Sequence, residues 1–328
     1  MQRDKLLVTF SPHERDSITT SKIMLYVVLS LLPAVFMSIY LFGYYALRTY
    51  ILTIFFTLTF EVLFEKLRKR PITLSDNSAL VTAVLLAMNL PPQSPWWIIL
   101  MGSFVAIVIG KQVYGGLGQN PFNPALVARV FLLISWPAQM TYWIAPNPIT
   151  KGFFFDAVSI ATPLGQSKTE ILSNGKVITL YNSFSDYFVG FMGGSMGEIS
   201  AIALLIGAAF LMYKNIISWH IPFSFIGSFF IIVFIYWLSF PEKTINPTAH
   251  ILTGGLILGA FYMATDMVTS PVTKKGQLIF GVGCGVLTAV IRLFGGYPEG
   301  VSFAILLMNA FVPLIDLYVR PKSFGEEN

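Results

Sequence analysis

About ten apolar runs dominate this 328-residue sequence, and they constrain its fold more than any other feature. A helix rises only about 1.5 Å per residue, so crossing ~30 Å of hydrocarbon takes ~20 apolar residues. On that rule spans fall near residues 22–44, 47–65, 77–90, 95–110, 124–142, 197–213, 220–240, 249–264, 277–294 and 300–318, the third and eighth being short. Composition agrees: 55% of residues are hydrophobic and 11% charged, too few charges to clothe a soluble surface. The expected fold is an all-α polytopic membrane protein. The first apolar run follows about twenty polar residues and precedes no small-residue cleavage site, so it is read as a retained helix.

Lys and Arg near span ends mark the cytoplasmic side. With the N-terminus inside, that side collects Arg3, Lys5, Arg15, Lys22, Lys66, Arg68, Lys69, Arg70, Lys111, Lys214, Lys274, Lys275, Arg320 and Lys322. The other side holds only Arg48, Lys151, Lys168, Lys176 and Lys243. The chain therefore divides into a cytoplasmic segment 1–21, five spans over 22–142, an extracytoplasmic loop 143–196, five spans over 197–318, and a cytoplasmic tail 319–328. The net charge of +5 is a topology signal and calls for no nucleic acid.

The two halves resemble each other. "VYGGLGQNPFNPALVARVF" (113–131) pairs with "LFGGYPEGVSFAILLMNAF" (293–311), and "LVTAVLLAMNLPPQSP" (80–95) echoes "ILTGGLILGAFYMATDMVTSP" (251–271). Five spans per half reverse direction, so an inverted five-plus-five repeat is expected, with Gly115-Gly116 and Gly295-Gly296 as matching turns. Short helices interrupted by Gly or Pro leave backbone groups free at depth, where an ion or ligand can use them.

Residues for metal or nucleophilic chemistry are scarce. His13, His220 and His250 are scattered, and the single Cys284 forms neither an internal disulfide nor a cluster site. "GGLGQN" (115–120) lacks the context of a nucleotide fold and reads as a tight turn. Ionisable residues at membrane depth are functional candidates by default. Glu61 and Asp316 are expected as span-end residues beside Lys66 and Arg320. Arg129 and Asp266, on the broken segments of the two halves, are candidates for an internal pair and an ion pathway. In the long loop, Thr162 before Pro163 reads as a helix cap or turn residue.

Several stretches carry a resemblance: "SPHERDSITTSKIM" (11–24), "GKQVYGGLGQNPFNPALVARVF" (110–131), "DAVSIATPL" (156–164), "SPVTKKGQLIFGVGCG" (270–285) and "GGYPEGVSFAILLMNAFVPLID" (295–316). The sequence resembles the D-subunit family of Rnf complexes, ion-translocating ferredoxin:NAD oxidoreductases. More distantly it is similar to the B subunit of the sodium-pumping NADH:quinone reductase. The resemblance implies a urea-transporter-like fold in a bacterial cytoplasmic (inner) membrane. It also implies FMN attached through its phosphate to a Thr hydroxyl in a D-x-x-[ST]-G-A-[ST]-like motif. Position by position, Asp156, Ser159, Ala161 and Thr162 match, making Thr162 the implied attachment residue, and Ile160 stands where glycine is usual. A second, noncovalent flavin, riboflavin, is implied without a position. The implied partners are a flavin transferase, a second flavin-bearing subunit, iron-sulfur subunits, and Na+ or H+. A solute transporter or channel of the same fold, and a structural scaffold, are rival readings; both expect an unmodified Thr162.

Overall fold

The computed structural model describes residues 18–155, 158–177 and 184–320. They are predominantly helical, and among them the only β-type pairing is an isolated antiparallel bridge between Ile144 and Ser159. α1 (Thr20–Leu67) opens the first half; α2 (Ser78–Met88), α3 (Trp96–Phe104) with its π-helical continuation Val105–Gln112, and α4 (Pro124–Ser135) complete it. The connecting region carries α5 (Pro137–Met140), α6 (Pro163–Asn174) and α7 (Phe184–Val189). The second half comprises α8 (Ala201–Tyr213), α9 (His220–Ser239), the interrupted pair α10 (Pro247–Leu252) and α11 (Leu256–Leu258) with a π turn Gly259–Met263, then α12 (Lys274–Phe294) and α13 (Val301–Tyr318). By length and composition α1, α9, α12 and α13 can each cross a membrane, and α2, Trp96–Gln112, α4 and α8 are shorter apolar helices. The chain is an all-α polytopic membrane protein.

The polarity of the helices is turned inside out, as lipid surroundings require. On α9, Phe223, Ile231, Ile235 and Leu238 are exposed, while Thr49, Thr53, Thr57 and Glu61, spaced four apart on α1, are buried. Each predicted span contains a helical segment, and both halves run through two helical arms, a short or interrupted helix, then two more helices. The first two spans are the arms of α1, which breaks at Gly43 (φ 53°, ψ −128°). Only glycine fits there, because a Cβ would stand 2.6 Å from the Phe153 carbonyl oxygen. Tyr44 N donates to that oxygen at 3.2 Å. Phe154 and Phe155 pack on Tyr44 and Tyr45 with ring centroids 5.0 and 5.5 Å apart. The run of phenylalanines thus anchors the connecting region on the break in α1.

Close approach of small residues fixes the second half. Gly281 and Gly285 on α12 lie against Ser224 and Ser228 on α9; a Cβ at Gly285 would stand 2.5 Å from the Phe225 carbonyl oxygen. Without a hydrophobic drive inside lipid, such contacts supply packing that larger side chains would block.

Three expectations need correction. Gly115 and Gly116 adopt φ of 131° and 103°, whereas Gly295 and Gly296 are not among the glycines with positive φ, so the two Gly-Gly turns are not equivalent. The positive-φ pair of the second half is Gly254-Gly255, inside the interrupted helix. Glu61 is no end residue: it is buried and accepts from Lys111 Nζ at 2.7 Å and Gln112 Nε2 at 2.8 Å. Lys111, assigned by sequence to a cytoplasmic loop, is therefore also interior, and its ammonium donates to Ser78 Oγ at 2.7 Å. In the connection between the halves, residues 192–200 are all buried.

Candidate functional site

The candidate motif is built around the start of α6. Ile160 N donates to the Trp143 carbonyl at 3.0 Å and Ala145 N to the Val158 carbonyl at 2.8 Å, so the chain approaches the helix as a short extended ribbon. Thr162 takes extended dihedrals as N-cap of α6, and its Oγ accepts from Gly165 N at 3.0 Å. Pro163 at the first helical position has no N–H to satisfy and its ring presets the turn. The cap reading of Thr162 is thus realised.

Around this hydroxyl, exposure changes abruptly. Thr162 is 6% exposed, while Val158, Ser159 and Ala161 are exposed. Gly165 leaves the approach to the hydroxyl open, since a Cβ there would sit 3.0 Å from Thr162 Oγ. An N-terminal helical turn offers unpaired N–H groups and a favourable field to an anion. The residues present therefore fit a phosphoester on Thr162: its oxygen can remain an acceptor for the cap, and no acidic side chain among the described motif residues opposes the phosphate. Asp156 lies outside the described residues.

Ile160 does not conflict with this arrangement. The non-glycine residues with positive φ among those described are Lys69, Asn77 and Asn215, so position 160 does not demand glycine's freedom. Its side chain instead occupies the space over Gly193, where a Cβ would meet Ile160 Cγ1 at 2.7 Å.

Gly193 belongs to the buried loop before α8, which leads to the second polar centre. Gly197 N donates to the Met88 carbonyl at 2.7 Å and Met196 N to the Leu90 carbonyl, pairing the loop with the unwound end of α2. This satisfies backbone groups that the Asn-Leu-Pro-Pro break leaves free. The loop inserts Glu198, 5% exposed, beside Arg129 of α4. Arg129 Nη2 donates to Glu198 Oε1 at 3.2 Å and to Glu299 Oε2, and Nη1 donates to Asn89 Oδ1. Nearby, Arg292 caps the broken α10 by donating to the carbonyls of His250 (2.6 Å), Thr253 (3.2 Å) and Gly254 (2.7 Å). Lys168 of α6 reaches the α12–α13 turn, donating to the Tyr297 carbonyl at 2.9 Å and to that of Gly295. Burial holds the Lys168 ammonium below the usual lysine value.

Arg129 and Asp266 are not brought together. Asp266 accepts from Thr269 Oγ at 3.1 Å and Val268 N at 3.4 Å, capping its own turn, and burial raises its carboxyl above the usual aspartate value. It lines a cavity with Ser78, Thr82, Lys111, Asn120 and Asn123. The recess is partly open to solvent and is otherwise walled by apolar side chains including Val81, Leu85 and Phe261. Polar groups converging in an apolar recess are the usual form of a small-molecule site.

Sequence reasoning missed Glu198 and Glu299. Glu198 follows Gly-Gly-Ser-Met-Gly, a composition that reads as an exposed loop, and Glu299 sits in a Pro-Glu-Gly turn. The available signal was that Arg129, costly at depth, required a carboxylate, and few exist in the chain.

The chain matches the model of the NQR2, RnfD, RnfE family over residues 7–325. It is 46% identical, over 99% of its length and 97% of the relative's, to the D subunit of the Na(+)-translocating ferredoxin:NAD(+) oxidoreductase complex of Acetobacterium woodii. Identity is 44%, over 99% and 98%, to the D subunit of the proton-translocating ferredoxin:NAD(+) oxidoreductase complex of Clostridium ljungdahlii. It is 41%, over 97% and 98%, to the D subunit of the ion-translocating oxidoreductase complex of Escherichia fergusonii. With a buried helical body, a capped threonine at its loop and similarity running nearly end to end, the chain belongs to the NQR2, RnfD, RnfE family.

Proposed function

We propose that this chain is the D subunit of an ion-translocating ferredoxin:NAD oxidoreductase, carrying FMN on Thr162 and passing electrons within the assembled complex. The observation that carries the reading is Thr162 itself: its hydroxyl stands at the N-terminus of a twelve-residue helix, at the edge between buried and exposed loop. When bound, FMN supplies reversible one- and two-electron chemistry. The chain's own part is to fix the phosphoester through Gly165 N and the helix end, and to hold the loop against α1 through Phe153–Phe155. Asp156, Ser159 and Ala161 complete the motif, with Asp156 acting during attachment by the flavin transferase.

The cavity lined by Thr82, Asn120, Asn123 and Asp266 is our candidate for the second, noncovalent flavin, riboflavin. Its amides and carboxylate offer the donors and acceptors that a flavin ring edge requires, between apolar walls for the ring faces. Iron-sulfur centres and a second flavin-bearing subunit belong to the partners, since one cysteine cannot ligate a cluster. The Lys and Arg distribution favours cytoplasmic termini, with Thr162 on the outer face of a bacterial inner membrane. The transported ion is Na+ or H+.

The test is expression with the flavin transferase, followed by in-gel flavin fluorescence and peptide mass after denaturation. Wild type is expected to fluoresce and carry an FMN-sized addition on Thr162, and Thr162→Ala to lose both while retaining extractable noncovalent flavin. A nonfluorescent wild-type band with an unmodified peptide would overturn the covalent reading and favour a flavin-free transporter.

A further inference from the structure

The charged cluster around Arg129 is separate from the attachment threonine, and its geometry is unusual. Two carboxylates, Glu198 and Glu299, accept from a single nitrogen, Arg129 Nη2. They come from separate turns, one before α8 and one before α13, and glycines admit Glu198 to the interior. A Cβ at Gly255 would stand 3.2 Å from Glu198 Oε1, and one at Gly194 would stand 3.3 Å from Oε2. Arg292, the other cation facing the pair, has both terminal nitrogens committed to backbone carbonyls, and its buried Nε has no partner.

We propose that Glu198 and Glu299 form a proton site, a carboxyl pair holding one exchangeable proton where the two halves of the molecule meet. Two carboxylates drawn onto one guanidinium nitrogen repel each other in a medium that screens poorly, whereas a single proton turns the repulsion into a hydrogen bond between them. The groups facing Glu299 are Glu198, Arg129 and Arg292; burial and then Glu198 raise its carboxyl, and the two arginines lower it, leaving it pushed up to about 7. The pair therefore keeps its proton below neutrality and releases it above. A proton suits the site better than a metal cation, because Arg129 already places a full positive charge against both carboxylates. The proposal does not depend on a flavin, although the loop bearing Glu198 also carries Gly193 beneath Ile160.

The experiment is infrared difference spectroscopy of the full chain in lipid nanodiscs, titrated through neutral pH. A protonated-carboxyl C=O band is expected to disappear as pH rises through about 7, and to be lost in both Glu198→Gln and Glu299→Gln. Glu242→Gln, at an exposed position, is expected to leave it unchanged. Absence of any such titrating band in the wild type overturns the proposal, as does its persistence in either variant. If one variant does not fold, the other decides, since loss of either member must abolish the band.

Discussion

At the scale of single residues, Thr162 carries two separable roles. Its oxygen caps α6 through Gly165 N, and its hydroxyl is the proposed attachment point. Thr162→Ser keeps both and is expected to be flavinylated with near-native stability. Thr162→Ala removes the cap as well as the flavin, and cap loss costs about 1 kcal/mol. The stability arm is measured on protein made without the flavin transferase, by thermal release of the buried Cys284 to a thiol-reactive dye. Equal midpoints for Thr162→Ala and wild type in that background would show that the cap contributes nothing. The sequence marked this hydroxyl through its neighbours, with Ile160 the one departure from the motif. Whether a position needs glycine depends on its φ and on what lies opposite, and here Gly193 on a distant loop supplies the space.

Among elements, helix order was legible and helix contacts were not. Apolar length follows from local composition, so each predicted span contains a helical segment. Which faces meet depends on shape. Gly207 of α8 shows this: a Cβ there would stand 1.9 Å from the Ser30 carbonyl oxygen of α1 and 2.4 Å from the Tyr262 hydroxyl. The oxygen is backbone and cannot rotate away, so Gly207→Ala must separate α8 from α1. Overpacking of this kind costs about 1–3 kcal/mol. The Cys284 labelling midpoint is expected to fall accordingly, whereas Gly227→Ala, where nothing lies within 4 Å, is expected to leave it in place. The same reasoning explains why the Gly-Gly match between the halves misled: similar letters at 115–116 and 295–296 do not impose a similar backbone.

For the whole molecule, Arg129 is the joint. It ties α4 to the end of α2 through Asn89, to the buried loop before α8 through Glu198, and to the turn before α13 through Glu299. The sequence singled out Arg129 because a guanidinium at depth demands partners, but assigned it Asp266; the true partners lie in glycine-rich turns whose burial only the folded chain reveals. Arg129→Met removes the cation and strands two carboxylates, which costs about 3–5 kcal/mol when a buried ion pair loses one member. The loss should depend on pH in a definite sense. Arg129 lowers the Glu299 carboxyl, so without it the folded state holds Glu299 more readily as a neutral acid, acidification removes stranded charge, and the deficit relative to wild type shrinks. Adding Glu299→Gln to Arg129→Met removes one charge permanently, and should recover part of the stability above neutrality and little below it. Thermal labelling of Cys284 on either side of neutral pH measures all three proteins. A deficit independent of pH, with no recovery in the double variant, would mean that Arg129 acts through packing alone and that the halves are not joined by charge.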